Sequence, residues 1–480
     1  MTAAVGQLSP AAVREPWDGG SRLFAAGDRA GYAGHLAAYG PLPGHEPRGT
    51  LLAQLQASGL TGRGGAAFPA GPKLAAVAEA GGAARYATRP SGPVLIANGA
   101  EGEPLSFKDA TLLHNAPHLV IDGLLATAQS VAASAIYIYT AAGNLDVVAA
   151  ALAERPDAAG VILTESPDAF VAGQASAAVN FLETGRAIPV DLRRRLADSG
   201  FKGRPTLVQN VETWAQVALI ARYGADWFRA AGVAGDPGTR LVSLSGDVPA
   251  QQVLEVPGGA PLTDVLATAG IRHDAVAAVL VGGFHGRWVR PEGVVLSVDE
   301  GAAGLGAGLA VRPGAGVLHV LGPGRCGLAA TADMVDYLAG QSARQCGPCM
   351  FGLPALADVM RRLAGGGSGG SGRGGAGAGA GVAGPPLDPG LVDEVGRLSR
   401  LVSSRGACHH PDGTVRLIAS ALEVFADDIP WHLAGQCNSG HAGHAAVGHA
   451  GGHAAVGHAA VGLAGVRDLP GRAPAEGGRR

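Results

Sequence analysis

The chain has few of the features that mark secreted or membrane-spanning proteins. Only five of its 480 residues are cysteine, too few for a disulfide framework in a chain of this length. Residues 1–20 lack the basic and then apolar pattern of an export signal. No run of about 18 uninterrupted apolar residues occurs, so we expect no membrane span. These absences predict a cytoplasmic protein in a reducing compartment.

The chain also carries little net charge, −3 at pH 7 by formal count. A balance so close to neutral implies no bulk attraction to nucleic acid or to membrane surfaces, so we expect no nucleic-acid partner. The length exceeds what a single hydrophobic core usually fills, about 250–300 residues, so several domains are expected.

Lysine is scarce: of 36 lysine and arginine residues, only Lys73, Lys108 and Lys202 are lysine. Where arginine dominates so strongly, each lysine can mark a position that needs a compact ammonium group. The alternative is that codon bias favours arginine and that the three remaining lysines have no special role.

A glycine-rich stretch dominates the N-terminal half. Gly59–Lys73, here called the glycine loop, holds five glycines in the sequence Gly-Leu-Thr-Gly-Arg-Gly-Gly-Ala-Ala-Phe-Pro-Ala-Gly-Pro-Lys. Glycines let backbone N–H groups approach a phosphate, Arg63 and Lys73 add positive charge, and Phe68 offers a face for stacking. The stretch is neither a Walker loop nor a G-x-G-x-x-G fingerprint. It predicts a nucleotide or flavin cradle, the alternative being a glycine-rich surface loop.

A second candidate stretch follows a short apolar strand, Pro93–Ala97. Asn98–Pro104, here called the strand-end turn, carries two carboxylates, Glu101 and Glu103. Open α/β sheets place ligands at the ends of such strands, and carboxylates accept hydrogen bonds from ribose or ribityl hydroxyls. The alternative is a solvated acidic turn.

The order of predicted elements indicates a layered α/β domain, followed by a small mixed module and then helices. Residues 1–45 are expected to be loop-like. We predict helices at 48–58, 73–85, 110–134, 144–154 and 211–222, and strands at Pro93–Ala97, Ala135–Tyr139 and Gly160–Thr164. Four short strands are predicted in the mixed module: Leu241–Ser245, Gln252–Val256, Ala277–Val281 and Val294–Val298. Further helices are expected within 328–363 and at about 390–403 and 411–426.

Two segments have low-complexity composition. Residues 364–386 are almost entirely Gly, Ala and Ser and are typical of a flexible insertion. The tail from Gly435 repeats Gly-His-Ala-Ala-Val units, which are typical of low-complexity disorder, although its histidines could chelate a metal adventitiously.

The cysteines suggest a metal or redox centre. Cys346-Gly-Pro-Cys349 is a Cys-x-x-Cys pair, and Cys408 lies beyond the insertion. Structural zinc, a redox dithiol and an iron–sulfur cluster all use such a pair, and a [4Fe–4S] cluster normally takes four thiolates. Cys326 and Cys437 belong to neither the Cys-x-x-Cys pair nor the segment of Cys408.

Four segments, in order, resemble one family. Its motifs are Gly-Arg-Gly-Gly-Ala-Gly-Phe-Pro-x-Gly-x-Lys, Asn-x-Asp-Glu-x-Glu-Pro with Phe-Lys-Asp, Gly-x-Pro-Thr-x-x-Asn-Asn-Val-Glu-Thr, and Ser-Cys-Gly-x-Cys-x-Pro-Cys with one distant Cys. The matching segments are Gly62–Lys73, Asn98–Pro104 with Phe107–Asp109, Gly203–Thr213, and Ser342–Cys349 with Cys408. Over about residues 50–430 the chain thus resembles the NADH-binding flavoprotein subunit of respiratory complex I, the F subunit of NADH-quinone oxidoreductase, with relatives in NAD-linked hydrogenases and formate dehydrogenases.

The resemblance implies FMN, NADH stacked on it, and an iron–sulfur cluster. NADH would reduce the flavin, which would pass electrons to the cluster and on to a partner subunit or a ferredoxin-like protein. The chemistry belongs to the cofactors, so no catalytic side chain is named. The implied cofactor-binding residues are Gly62, Arg63, Gly64, Gly65, Phe68, Lys73, Asn98, Glu101, Glu103, Gly173, Val208, Gln209, Asn210 and Thr213. The implied cluster ligands are Cys346, Cys349 and Cys408.

The resemblance also implies a domain layout and a location. An N-terminal extension (1–45) would precede an FMN/NADH-binding α/β domain (46–238) and a ubiquitin-like (SLBB-type) α+β module (239–322). A helical iron–sulfur domain (323–434) and the tail (435–480) would follow. Such a protein would be cytoplasmic, peripheral to the membrane through its partners.

Several residues depart from the family's pattern. Ala67, Ala100 and Gln209 replace a glycine, an aspartate and an asparagine, and Gln174-Ala175 replaces two glutamates. Ala343 replaces the first cluster cysteine, which leaves a [3Fe–4S] cluster, a [4Fe–4S] cluster with another ligand, or no cluster as alternatives. The lost partners also leave two other functions open: a homologue that serves as a structural or regulatory subunit without turnover, or a flavoprotein that uses ferredoxin instead of NADH.

Overall fold

The computed structural model describes residues 13–14, 20–44, 50–84, 92–190, 195–299, 308–365 and 386–437. Most of the glycine-rich insertion and of the histidine-rich tail lies outside these residues, as does much of the N-terminal extension. The described part is a mixed α/β structure with a parallel sheet, a mixed-sheet region and a group of C-terminal helices.

A four-stranded parallel sheet positions the candidate site. The strand order is Val161–Glu165, Ala135–Thr140, Val94–Gly99, Thr206–Asn210. Val94 to Ala97 are fully buried, which suits an inner strand covered on both faces. After Val94–Gly99, the next two strands in the sequence, Ala135–Thr140 and Val161–Glu165, are added one after the other on one side of it. Thr206–Asn210 is then added on its other side, so the direction of the connections reverses at Val94–Gly99. Ligands of open α/β sheets bind at the carboxyl ends of strands at such a switch point.

Helices flank this sheet. They span Tyr32–Tyr39, Thr50–Ser58, Ala70–Ala84, Lys108–Asn115, Pro117–Val131, Leu145–Ala153, Ala175–Thr184, Leu196–Ser199 and Val211–Arg229, with 3₁₀ turns at Ala142–Asn144, Pro156–Ala158, Phe170–Gly173 and Phe201–Gly203. The helix predicted over 110–134 is two helices, because Pro117 has no N–H to continue the first and begins the second.

Other elements also differ from the sequence-based prediction, and the helix predicted over 211–222 extends to Arg229. The N-terminal region is not all loop, because Tyr32–Tyr39 is helical. That helix is held by distant polar contacts: His35 Nε2 lies 2.7 Å from an Asp122 carboxylate oxygen, and the Tyr39 hydroxyl donates to the Leu23 carbonyl at 2.9 Å. Thr206–Asn210 is a strand, although its polar end obscured the pattern.

The mixed-sheet region follows. Its six-stranded sheet has the order Val13–Arg14, Gln252–Pro257, Thr239–Gly246, Val317–Leu321, Ala278–Val281, Arg287–Val289. Beside it lie Ala260–Pro261, Val294–Leu296 and Leu309–Val311 in a three-stranded sheet, the pair Gly232–Val233 and Asp236–Pro237, the helix Leu262–Thr268 and a 3₁₀ turn at His273–Ala275. All four strands predicted for this region are present, and each end lies within two residues of its predicted position.

The C-terminal part is helical. Its helices span Gly327–Gly340, Leu353–Leu363, Leu391–Val402, His410–Val424 and Ile429–Leu433, with a π-helical turn at Pro348–Gly352 and a 3₁₀ turn at Ala426–Asp428. They share a core that includes Val335, Leu356 and Met360. Among the described residues, no helix combines the length and apolarity that a membrane crossing requires.

Candidate functional site

The glycine loop meets the end of the strand Thr206–Asn210. The Lys73 ammonium donates to the Val208 carbonyl at 2.5 Å, and the Arg63 backbone N–H donates to the Thr213 hydroxyl at 2.9 Å. A Cβ added to Gly64 would lie 3.1 Å from the Asn210 Cβ. The structure therefore brings together two motifs that are about 140 residues apart in the sequence.

The strand-end turn joins the same place from the neighbouring strand. The Asn98 amide donates to the Gly173 carbonyl at 2.7 Å. A Cβ on Gly173 would lie 2.7 Å from the Ala100 carbonyl oxygen, so only glycine allows this approach. Asn98 and Asn210 are paired across the two parallel strands. The site is thus built on the switch point of the sheet.

Both carboxylates of the strand-end turn have partners in the protein. Glu101 accepts hydrogen bonds from the Ser106 hydroxyl at 2.6 Å and from the backbone N–H groups of Asp109 and Ala110 at 2.9 Å each. It thereby satisfies donors at the start of the helix Lys108–Asn115. Burial, and then the charge of Asp109, raise the pKa of Glu101 to about 7.

Glu103 is held by a different part of the chain. Its carboxylate accepts from the Phe284 backbone N–H at 2.8 Å, which links the strand-end turn to the mixed-sheet region. Burial raises the pKa of Glu103 to about 7. Sequence reasoning expected both glutamates to accept from ligand hydroxyls, a role that stays a prediction.

The two cations of the glycine loop differ in their surroundings. The Arg63 guanidinium is buried, donates to the Thr61 hydroxyl at 2.8 Å and the Pro237 carbonyl at 3.3 Å, and lies 4.0 Å from a Glu212 oxygen. Burial, and then Arg240, lower the pKa of Arg63 to about 10. Its charge is therefore engaged within the protein, whereas the Lys73 ammonium contacts a carbonyl.

Phe68 remains available for stacking because its side chain is 56% exposed. Val208 and Gln209 are buried within the strand Thr206–Asn210. A cleft beside the loop is lined by residues that include Gly62, Gly65, Glu212, Arg240, Arg312 and Gly314. The last three were not singled out from the sequence, because distant segments supply them.

A buried ion cluster lies beneath the site. The Lys108 ammonium is 2.7 Å from an Asp109 oxygen, 2.8 Å from a Glu212 oxygen and 3.3 Å from the Asn210 amide oxygen. The other Glu212 oxygen accepts from the Leu241 backbone N–H at 2.8 Å. Although burial acts to lower it, the carboxylates raise the pKa of Lys108. Two sequence signals marked this position: the scarcity of lysine, and the Phe-Lys-Asp motif at Phe107–Asp109.

Three cysteines of the C-terminal part are neighbours. Cys349 lies in the π-helical turn Pro348–Gly352, Cys346 precedes it, and Cys408 precedes the helix His410–Val424. Burial, and then Cys346 and Cys408, raise the pKa of Cys349 to about 12. The three thiols thus lie close enough to affect one another's pKa, and their role as cluster ligands stays a prediction.

The chain matches two models of known families. The Nuo51 FMN-binding domain matches residues 55–219, and the NADH-ubiquinone oxidoreductase-F iron–sulfur binding region matches residues 329–432. These spans contain the switch-point site and the three neighbouring cysteines, respectively.

Similar proteins cover most of the chain. It is 31% identical over 402 residues to an NADH-quinone oxidoreductase F subunit (number 2) of Rhizobium meliloti, covering 80% of this chain and 88% of the relative. It is 27% identical over 405 residues to the NADH-quinone oxidoreductase F subunit of Streptomyces coelicolor (80% and 83%). It is 26% identical over 396 residues to the HndC subunit of an NADP-reducing hydrogenase of Solidesulfovibrio fructosivorans (78% and 74%).

The fold is similar to a chain of an NAD⁺-reducing [NiFe]-hydrogenase solved in its H₂-reduced state. The TM-score is 0.66 at 24% identity, over 81% of this chain and 63% of that one. The chain therefore spans less than two thirds of the length of that hydrogenase chain, and the likeness bears on the fold alone.

The loop conformation has a measurable energetic cost. Ala67 replaces a family glycine at a φ of 51°, a left-handed conformation that costs a residue with a Cβ about 1 kcal/mol. We expect Ala67→Gly to raise the free energy of unfolding by about 1 kcal/mol in urea denaturation. Ala132→Gly is the matched control, because Ala132 also has a φ of 51° and caps the helix Pro117–Val131. Destabilisation by Ala67→Gly alone would contradict the described loop.

The ion cluster should dominate local stability. Lys108→Met would leave buried carboxylates without a cation, and we expect it to lower the free energy of unfolding by about 3–5 kcal/mol. Arg361→Met is the control: Arg361 is half exposed and pairs with Asp336 at 2.6 Å, so its loss should cost about 1 kcal/mol or less. Equal losses in urea denaturation would show that Lys108 is not buried as described.

Proposed function

Because the chain belongs to the family of NADH-quinone oxidoreductase F subunits, we propose that it oxidises NADH at an FMN held on the switch point and feeds an iron–sulfur centre. The observation that carries this proposal is the convergence of Lys73, Gly173 and Asn210 at the carboxyl ends of two parallel strands. FMN supplies the chemistry of hydride acceptance and single-electron release. The protein supplies binding, orientation and electrostatics.

The residues at the switch point fit a phosphorylated flavin. The glycines of the loop let the backbone come close to a ligand, and Gly64 leaves space that a side chain would fill against Asn210. Lys73 supplies a positive charge for the phosphate. Asn98 and Asn210 lie where the flavin ring edge would be, and hydrogen bonds to protein atoms fix the orientation of their amides. Thr213 anchors the loop by accepting from the Arg63 backbone N–H.

The exposed face of the site suits a second ring. Phe68 has more than half of its side chain exposed and can stack on a nicotinamide or adenine. Glu103, beside the mixed-sheet region, would contact ribose hydroxyls of NADH. Since its pKa is raised to about 7, Glu103 can donate as well as accept near neutral pH.

Cys346, Cys349 and Cys408 would hold the cluster. The match to the iron–sulfur binding region supports this set, and the mutual effect of the thiols on pKa supports their proximity. With Ala343 in the fourth position, the fourth iron would be absent or would take a ligand other than cysteine.

The proposal includes the division of the chain into domains and the place where the protein acts. The FMN/NADH domain would span 46–238, the ubiquitin-like module 239–322 and the iron–sulfur domain 323–434. The protein would act in the cytoplasm, peripheral to the membrane through partner subunits that accept its electrons. This assembly is supported by relatives that are themselves named as subunits of oxidoreductases.

Reduction by NADH tests the function. The full-length protein, reconstituted anaerobically with FMN, iron and sulfide, should show a flavin absorption band that NADH bleaches. If NADH leaves the band unchanged but reduced ferredoxin bleaches it, the electron donor is ferredoxin and not NADH. Failure to retain any flavin would overturn the proposal in favour of a subunit without turnover.

Lys73 should set the affinity for FMN. Lys73→Met removes a charge-assisted hydrogen bond of about 1.5–3 kcal/mol, so we expect binding to weaken about 10- to 100-fold in a flavin fluorescence titration. Burial lowers the pKa of Lys73 to about 8, so the ammonium is lost as pH rises through 8, and the affinity of the wild type should fall there. Lys202→Met changes an exposed lysine and should leave affinity unchanged. An equal loss in both variants, or a pH step that persists in Lys73→Met, would refute the assignment.

A further inference from the structure

Two cysteines outside the cluster motif lie in one group with a buried histidine. The Cys326 sulfur is 3.2 Å from His432 Nε2, and the ligand atoms of Cys326, His432 and Cys437 all lie within 4.8 Å of one another. Cys326 directly precedes the helix Gly327–Gly340, and His432 lies in the helix Ile429–Leu433. Residues from two distant segments thus converge on one point.

We propose that Cys326, His432 and Cys437 bind one zinc ion, separate from the iron–sulfur cysteines. Two thiolates and one imidazole are a preferred zinc donor set, and tetrahedral zinc bonds of about 2.0–2.3 Å place neighbouring ligand atoms about 3.5 Å apart. The spacing of the group requires only small adjustments to reach that value. Cys437 is exposed, so water can occupy the fourth position.

The surroundings of Cys326 favour a thiolate once a cation is present. Its sulfur accepts from the Ala329 backbone N–H at 3.3 Å at the N-terminus of a 14-residue helix, where the helix dipole favours negative charge. Without a cation, burial raises the pKa of Cys326 to about 12. Zinc would therefore bind with release of the thiol proton.

His432 is prepared to be a ligand. It is buried, and burial lowers the pKa of its imidazole, which favours the neutral ring that can offer a lone pair to a metal. The backbone of Leu363 and Ala364 lies close enough to the imidazole to act on its pKa in the opposite direction, so His432 packs against the end of the helix Leu353–Leu363. The ion would thus tie the last described segment to the start of the helix Gly327–Gly340.

The test must separate this group from the cluster cysteines and from the histidines of the tail. The cluster cysteines are removed in a full-length variant that carries Cys346→Ser, Cys349→Ser and Cys408→Ser, here called the background variant. The histidines of the tail give no signal if Co²⁺ is the probe and sulfur-to-cobalt charge-transfer absorption is measured, because this absorption requires a thiolate. We expect one Co²⁺ per chain with this absorption, displaced by Zn²⁺.

Single changes in the same background assign the ligands. Cys437→Ser changes an exposed residue that should not affect folding, and we expect it to halve the charge-transfer intensity. His432→Ala should weaken Co²⁺ binding by at least about tenfold, while His409→Ala, at an exposed histidine outside the group, should leave it unchanged. Zn²⁺ should raise the unfolding temperature of the background variant but not of its Cys326→Ser derivative.

Three results would overturn the proposal. Charge-transfer absorption of undiminished intensity in either single variant, Cys326→Ser or Cys437→Ser, would show that the two thiolates do not share one ion. Cobalt bound without this absorption would show binding by the histidines of the tail. A Cys326–Cys437 disulfide, found by mass spectrometry in wild-type protein prepared anaerobically, would make the pair a covalent link instead of a metal site.

Discussion

The ammonium of Lys108, buried between Asp109 and Glu212, is the interaction on which the site depends. A buried charge is tolerated only when its partners are in place, so this cluster joins the helix after the strand-end turn to the helix that begins at Val211. Glu212 also holds Leu241 through its second oxygen. Two motifs and the mixed-sheet region are thus joined through one buried cluster.

The chain uses its rare lysines as two different kinds of charge. Lys108 is enclosed by carboxylates that raise its pKa, so it is a permanent structural cation. Lys73 faces a carbonyl instead, and burial lowers its pKa to about 8, so its charge is poorly compensated until an anion arrives. A compact ammonium fits both places, whereas a guanidinium needs room for a planar fork.

Local patterns predicted most of the fold, and distant contacts explain the rest. The apolar strand Val94–Gly99 and the helix Leu391–Val402 were located to within two residues, because their burial follows local periodicity. The helix Tyr32–Tyr39 was missed because its stability comes from Asp122 and Leu23. The same holds for the candidate site. Its motifs could be found in the sequence, but the hydrogen bond between Glu103 and the backbone N–H of Phe284 could not be predicted, because the two residues are 181 positions apart.

The structure also bears on the carboxylates that this chain has lost relative to its family. Ala100, Gln174 and Ala175 remove negative charge from the switch point, and the two carboxyl groups of the strand-end turn are buried with pKa values of about 7. Near neutral pH the site therefore carries less negative charge than its residue types suggest. Because Coulomb repulsion is strong where water is excluded, this reduction favours anionic ligands. The substitutions thus shift the electrostatic balance toward Lys73, which offsets part of the hydrogen bonding that they remove.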